Sequence, residues 1–210
     1  MRVMGEHRTS ISRFPVPDLE SLPEDLRATI AEVAAKVGFV PNAYLHLAHR
    51  PDEWRAFFDY YAAVMEGEEG LTKAERELIV VATSAVNDCM YCVVSHSAFA
   101  RLQSKNPIVA DQVAIDWRKA ELSPRERAMI EFAVKLAGTP ADVADEDFER
   151  LRANGLSEEE IWQVGAITAF FALSNRLAHF TATPPNHEFH LLGRVPRETY
   201  EQLVRGEAGE

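Results

Sequence analysis

Residues 77–96 read ELIVVATSAVNDCMYCVVSH, and the rest of the 210-residue chain is organised around them. The stretch holds both cysteines, Cys89 and Cys92, as C-x-x-C, with His96 four residues after the second and Glu77 twelve before the first. Positions i and i+4 of a helix share a face, so His96 stacks one turn from Cys92, with Cys89 a further turn away on the same side. The LIVVA that follows Glu77 predicts a buried helix, and a buried carboxylate calls for a partner. Asn87 and Asp88 are good N-cap residues, so a second helix is expected to begin at the C-x-x-C. If the chain reverses there into a helical hairpin, Glu77 and His96 lie about nine residues on either side of the bend and face each other, at ~1.5 Å rise per residue. A carboxylate beside an imidazole fixes its tautomer and keeps it basic. The imidazole can then take a thiol proton, and a helix N-terminus favours thiolate. The expectation is a relay from Glu77 through His96 that draws Cys92 below the free-thiol pKa of ~8.5.

Working outward, the chain reads as helical throughout. Residues 1–22 form an expected extended arm, and 23–205 a single helical domain. A first helix starts after Ser21 with Pro23 in its opening turn and stops at Gly38. A short helix follows from Pro41, then a longer one bears Trp54, Phe57, Phe58, Tyr61 and Val64 on its inner side. Capping boxes open three more helices, at Thr72 with Glu75, Ser123 with Glu126 and Ser157 with Glu160. LTKAERELIVVA and LSPRERAMIEFA share the pattern L-[ST]-x-x-E-R-x-x-I-x-x-A at an offset of 51 residues, which reads as a degenerate internal repeat. No run alternates at period two, so the fold class is all-α. Trp54, Phe57 and Phe58 with Phe170, Phe171 and Leu173 either exceed what one core requires, which predicts a homo-oligomer, or simply fill the interior.

Composition narrows the function. A net charge of −11 argues against nucleic acid and anionic membrane as partners, because both select basic faces. No apolar run approaches the ~20 residues of a membrane span and no secretory signal is evident, so the expected compartment is the cytoplasm. Two cysteines are too few for a disulfide scaffold, and their spacing points to redox or metal chemistry. A zinc site of Cys89, Cys92, His96 and Glu77 is the metal alternative; it is disfavoured because three of the four share one helix. A dithiol kept as a redox-sensing switch on a non-catalytic oligomeric scaffold is the other.

Glu77, Cys89-Met90-Tyr91-Cys92 and His96 together resemble the E-x11-C-x-Y/H-C-x3-H signature of the AhpD-like alkylhydroperoxidases, within the carboxymuconolactone decarboxylase superfamily. Gly38-Phe39-Val40-Pro41-Asn42, His49-Arg50-Pro51 and Pro185-Asn186-His187-Glu188-Phe189 resemble its longer peroxidase-related branch. The resemblance implies an all-helical AhpD-like fold, with trimers or hexamers. It makes Cys92 the thiol that attacks peroxide, Cys89 the resolving thiol, and His96 and Glu77 the proton relay. Tyr91 stands where such proteins can carry histidine and is a candidate accessory residue. No cofactor or metal is implied beyond the redox-active cysteine pair; the expected partners are a peroxide substrate and an external thiol or dithiol reductant.

Overall fold

The computed structural model describes residues 10–205, so residues 1–9 of the expected N-terminal arm lie outside the described residues. From Ser10 the chain is irregular as far as a 3-10 turn at Leu19–Ser21. Eleven α-helices and no strands follow among the described residues. Helix α1 spans Glu24–Val37, α2 Asn42–His46 and α3 Pro51–Met65. Helices α4, Lys73–Val86, and α5, Met90–Ser104, form the central hairpin. Then come α6, Val109–Asp116, α7, Pro124–Gly138, α8, Asp145–Ala153, and the long α9, Glu158–Thr181. Two short helices, α10 at Glu188–Leu191 and α11 at Arg197–Arg205, complete the order.

Helix α4 is the axis of the molecule. Every residue from Glu75 to Ser84 is buried, because α5, α6, α7 and α9 pack around it. Its apolar run Leu78–Ala82 faces every side of the helix and is stable only in such a position. The main core gathers on α4, and a smaller cluster of Leu22, Leu26, Ile30, Leu47, Ala48 and Trp54 joins the N-terminal segment to α1–α3. Gly38 ends α1 at φ +91°, the left-handed conformation that glycine adopts without a Cβ penalty.

All three capping boxes form as read, each worth about 1 kcal/mol. Arg125 joins two of them, its Nε donating to Glu75 Oε1 at 2.8 Å and Nη2 to Glu160 Oε1 at 2.6 Å. The repeated pattern has a structural counterpart. Helices α4 and α7 pack against each other, and the pattern's arginine does similar work in both. Arg76 donates to the carbonyls of Val64, Glu69 and Leu71. Arg127 donates to those of Trp117, Arg118 and Ala120. Each guanidinium thus holds the loop that leads into its own helix.

Two local expectations are corrected. Asn87 and Asp88 do not cap α5: Asn87 is the C-cap of α4, and Asp88 follows at φ +52°. Cys89 N–H donates to Ser84 O at 2.9 Å and Asp88 N–H to Ala85 O at 3.1 Å. This is a Schellman closure with an aspartate where glycine is usual, and its final residue, Cys89, is also the N-cap of α5. One helix therefore hands directly to the next, and no residue is left over to act as a separate cap. The surplus-aromatics argument for an oligomer also fails at its residues. Trp54, Phe170 and Phe171 are buried inside the protomer, and of the residues that argument named only Leu173 is exposed, at 51%.

Candidate active site

Cys89, Cys92, Glu77 and His96 come together at the α4–α5 hairpin. His96 Nδ1 lies 2.6 Å from Glu77 Oε2, with both side chains buried. Helical rise on either side of the bend delivers this contact, because the Schellman turn is short enough to keep the two helices adjacent along their length. A carboxylate on Nδ1 fixes that nitrogen as the N–H donor and leaves Nε2 as the basic atom.

The two thiols are free, buried and not equivalent. Cys92, in the first turn of α5, lies 3.8 Å from Ser174 Oγ of α9. It lines an apolar cavity of about 90 Å³ together with Ser95, His96 and Tyr91. Phe57, Phe58, Phe99, Phe170, Phe171 and Phe189 form much of the wall, and no Lys, Arg, Asp or Glu lines it. Cys89 is not among the lining residues; it sits at the helix terminus, toward Asn175 and His179. Thiol, thiol and imidazole therefore do not share one stripe, since Cys89 lies in the turn while Cys92 and His96 share a helix face.

The charge distribution reverses the sequence-based expectation. The Cys92 thiol is pushed well above an ordinary thiol pKa, first by its hydrogen bond to Cys89 and then by burial. Cys89 is held down at about 6 by that same bond; burial opposes this, and His179 and Asn175 help it. The pair holds a proton on Cys92 and negative charge on Cys89, and His96 hydrogen-bonds to neither sulfur. His96 and Cys92 line the same cavity.

Sequence reading missed the contribution of α9. Asn175, fully buried, donates to Ser84 Oγ at 3.0 Å and accepts from Asn87 Nδ2 at 3.1 Å. His179 Nε2 donates to Asn87 O at 2.8 Å. Helix α9 thereby clamps the turn that carries Cys89. A signal was present: Ile167, Phe171 and Asn175 recur at i, i+4, so the asparagine falls on the buried stripe of an apolar helix, where an amide needs partners. Tyr91 is a tether: the Ala43 N–H donates to its hydroxyl at 3.0 Å, fixing the start of α2 against α5. Among the described residues no three His, Cys, Asp or Glu side chains are grouped to hold one metal ion, and the zinc alternative gains nothing from the geometry.

His46 also lines the cavity, and sequence reading passed over it. Burial, with His49 adding, lowers its pKa to about 4. His49 lies on the adjoining turn, and Tyr44, Tyr61, Cys92 and His96 line the cavity with it. In the unfolded chain His46 protonates near ~6.5. Between about pH 6.5 and 4 the unfolded state thus binds a proton that the folded state does not, and stability falls as pH drops through this window. The expected loss is about 3 kcal/mol by pH 4, at ~1.4 kcal/mol per pKa unit. Urea unfolding of His46→Gln should show a correspondingly flatter pH profile; a profile that parallels the wild type would contradict the assignment.

Comparison with known proteins gives the architecture its relatives. Residues 51–114 match the carboxymuconolactone decarboxylase family. The alkyl hydroperoxide reductase AhpD of Gluconacetobacter diazotrophicus is 27% identical over 139 residues, covering 66% of this chain and 75% of that protein. A peroxidase-related protein with an alkylhydroperoxidase AhpD core, from Ralstonia eutropha JMP134, is 56% identical with a TM-score of 0.87, covering 90% of this chain and 99% of that one. A peroxidase-related protein from Silicibacter sp. TM1040 is 33% identical with a TM-score of 0.85, covering 90% of this chain and 100% of that one. The agreement in sequence and in helical architecture over nine-tenths of its length places this chain in the AhpD-like branch of the carboxymuconolactone decarboxylase superfamily.

Proposed function

We propose that the chain is a cysteine-based peroxidase that reduces an organic hydroperoxide with its C-x-x-C pair. The observation that carries the reading is the division of the site: Cys92 and His96 face one apolar cavity, while Cys89 waits at the helix terminus outside it. A hydroperoxide entering the cavity meets Cys92 first. His96, oriented by Glu77, takes the Cys92 proton through a bridging O–H as sulfur attacks the terminal peroxide oxygen. The O–O bond breaks, Cys92 becomes a sulfenic acid, and the alkoxide leaves as alcohol with the proton His96 took. The Cys89 thiolate then attacks the sulfenic sulfur, and the hydroxyl departs as water with a proton from solvent. Overall two thiols and one hydroperoxide give one disulfide, one alcohol and one water. An external dithiol resets the pair by exchange. Cys89 being the thiolate at rest suits its resolving role, because it attacks without first losing a proton.

A homo-oligomer remains part of the proposal, and the exposed Ile115 and Trp162, at 86% and 72%, offer the surface for it.

The test is a thiol count by intact mass after one equivalent of tert-butyl hydroperoxide. Both thiols should disappear with a mass loss of two hydrogens, and Cys92→Ser should abolish hydroperoxide consumption. Cys89→Ser should instead trap a sulfenic acid on Cys92. Repeated turnover with added dithiothreitol distinguishes a peroxidase from a sensor that oxidises once. Two intact thiols under excess hydroperoxide would sink the reading.

A further inference from the structure

His46 comes from α2, far in sequence from the dithiol, and is 4% exposed. Its Nδ1 lies 2.6 Å from Thr183 Oγ1, which lies 2.8 Å from Thr181 Oγ1, which donates to Leu177 O at 2.8 Å. The chain ends on a carbonyl, which can only accept. Thr181 therefore gives its proton to Leu177 O, Thr183 gives its own to Thr181, and the proton on the imidazole is Nδ1–H, given to Thr183. Nε2 is left as a bare lone pair without a hydrogen-bond partner among the described residues, on a side chain that lines the cavity. The pKa near 4 keeps the ring neutral at physiological pH. Nε2 is not sealed among buried, unpartnered atoms; it is an accessible acceptor on the cavity side of the ring, free to take a hydrogen bond from a donor that enters.

From this arrangement we infer that His46 is a substrate-positioning residue whose Nε2 accepts a hydrogen bond from the O–H of an uncharged, hydrocarbon-framed substrate. The inference rests on the reading that substrate meets Cys92 in this cavity. The walls agree with the class. Six phenylalanines offer apolar and edge-on aromatic contact, and the lack of any Lys or Arg in the lining leaves a substrate carboxylate without a counter-ion. In a hydroperoxide the O–H is on the terminal oxygen, the atom Cys92 attacks. A hydrogen bond from it to His46 holds that oxygen while His96 deals with the thiol proton. The site then has two imidazoles with separate tasks, one held by a carboxylate, the other held by a hydroxyl chain.

The experiment uses unreactive ligands, so it stands apart from turnover. Phenol and fluorobenzene have nearly the same shape, and only phenol carries a donor. Their affinities for the full-length reduced protein are measured by calorimetry in the wild type, His46→Phe, His46→Gln and Thr183→Val, each checked for fold by circular dichroism. The ratio of phenol to fluorobenzene affinity should fall about tenfold in His46→Phe. It should be largely kept in His46→Gln, whose amide oxygen can still accept, and should fall in Thr183→Val, where Nδ1 loses the partner that sets the tautomer. Nitrogen-15 shifts of the wild-type ring should report Nδ1–H and a bare Nε2 whose resonance moves when phenol binds. This readout keeps the test alive if His46→Phe does not fold. An unchanged ratio in His46→Phe, the opposite tautomer, or no binding of either ligand would overturn the inference. A preserved donor preference in a protein that consumes no hydroperoxide would instead sink the peroxidase reading and leave His46 in its place.

Discussion

His96→Gln is expected to slow peroxide-driven loss of the thiols by roughly 10²–10⁴-fold, the range that a positioned acid–base group contributes. The size of the effect follows from where the protons rest. Cys92 is the thiol in the cavity, and its hydrogen bond to Cys89 and its burial both favour the protonated form. A protonated thiol is a poor nucleophile, so attack needs a base in the same space. Glutamine keeps the size and some hydrogen-bonding capacity of histidine but cannot accept the proton. Glu77→Gln should be slower than wild type by less, because in the proposed relay Glu77 acts on the thiol only through the imidazole, which it holds at 2.6 Å. The double mutant should be no slower than His96→Gln alone, the mark of two residues acting as one unit. Stopped-flow oxidation with tert-butyl hydroperoxide measures all three, and thermal melts confirm that each is folded. A wild-type rate in His96→Gln would remove the relay and leave the Cys89 thiolate as the base for its neighbour.

Arg76→Met should destabilise the fold by about 3–5 kcal/mol, the range for stripping partners from buried, hydrogen-bonded polar groups. Arg76 is 1% exposed, and its guanidinium satisfies the carbonyls of Val64, Glu69 and Leu71, so methionine fills part of the volume and strands those of Val64 and Leu71, while Glu69 O keeps Gln163 Nε2 as a donor. For a chain of this size the melting temperature moves roughly 2–4 °C per kcal/mol, so a drop of at least about 6 °C is expected. Arg127→Met removes the corresponding ties but should cost less, because Arg127 is only partly buried and water can replace it. Equal melting temperatures for Arg76→Met and the wild type would show that the loop before α4 does not depend on this residue.

What could be read from the sequence was what depends on neighbours along the chain. Capping boxes span four residues, and the Gly38 stop needs only its own helix, so both follow from local chemistry. The Glu77–His96 contact was legible for a related reason: helical rise on either side of a tight bend is arithmetic. The bend itself was misread, since Asn87 and Asp88 suit an N-cap and a C-terminal closure equally well, and the packing of α9 on Asn87 selects the second. Ser174 and His46 were beyond reach as members of the site, and Asn175 showed only that it needed partners, because they arrive from helices separated from the dithiol by tertiary register alone. The thiol protonation was misjudged from sequence, as spacing carries no information about which sulfur is the deeper. The aromatic residues offered as an interface proved mostly to be core, a distinction that composition cannot draw.

The hairpin also bears on how the molecule forms. Glu77, Cys89, Cys92 and His96 lie within twenty residues, on two helices joined by a turn with its own hydrogen bonds. Contacts this close in sequence carry a small loop-closure cost and favour early assembly. The half of the site supplied by α9 and α2 closes loops of roughly eighty and fifty residues, and comes later on that argument. A nascent chain thus has its dithiol and the Glu77–His96 pair in one compact unit before the cavity over Cys92 is roofed by Phe170, Phe171 and Ser174. In that interval the thiols stand open to solvent oxidants, and the long helix that completes the site is also what ends their exposure.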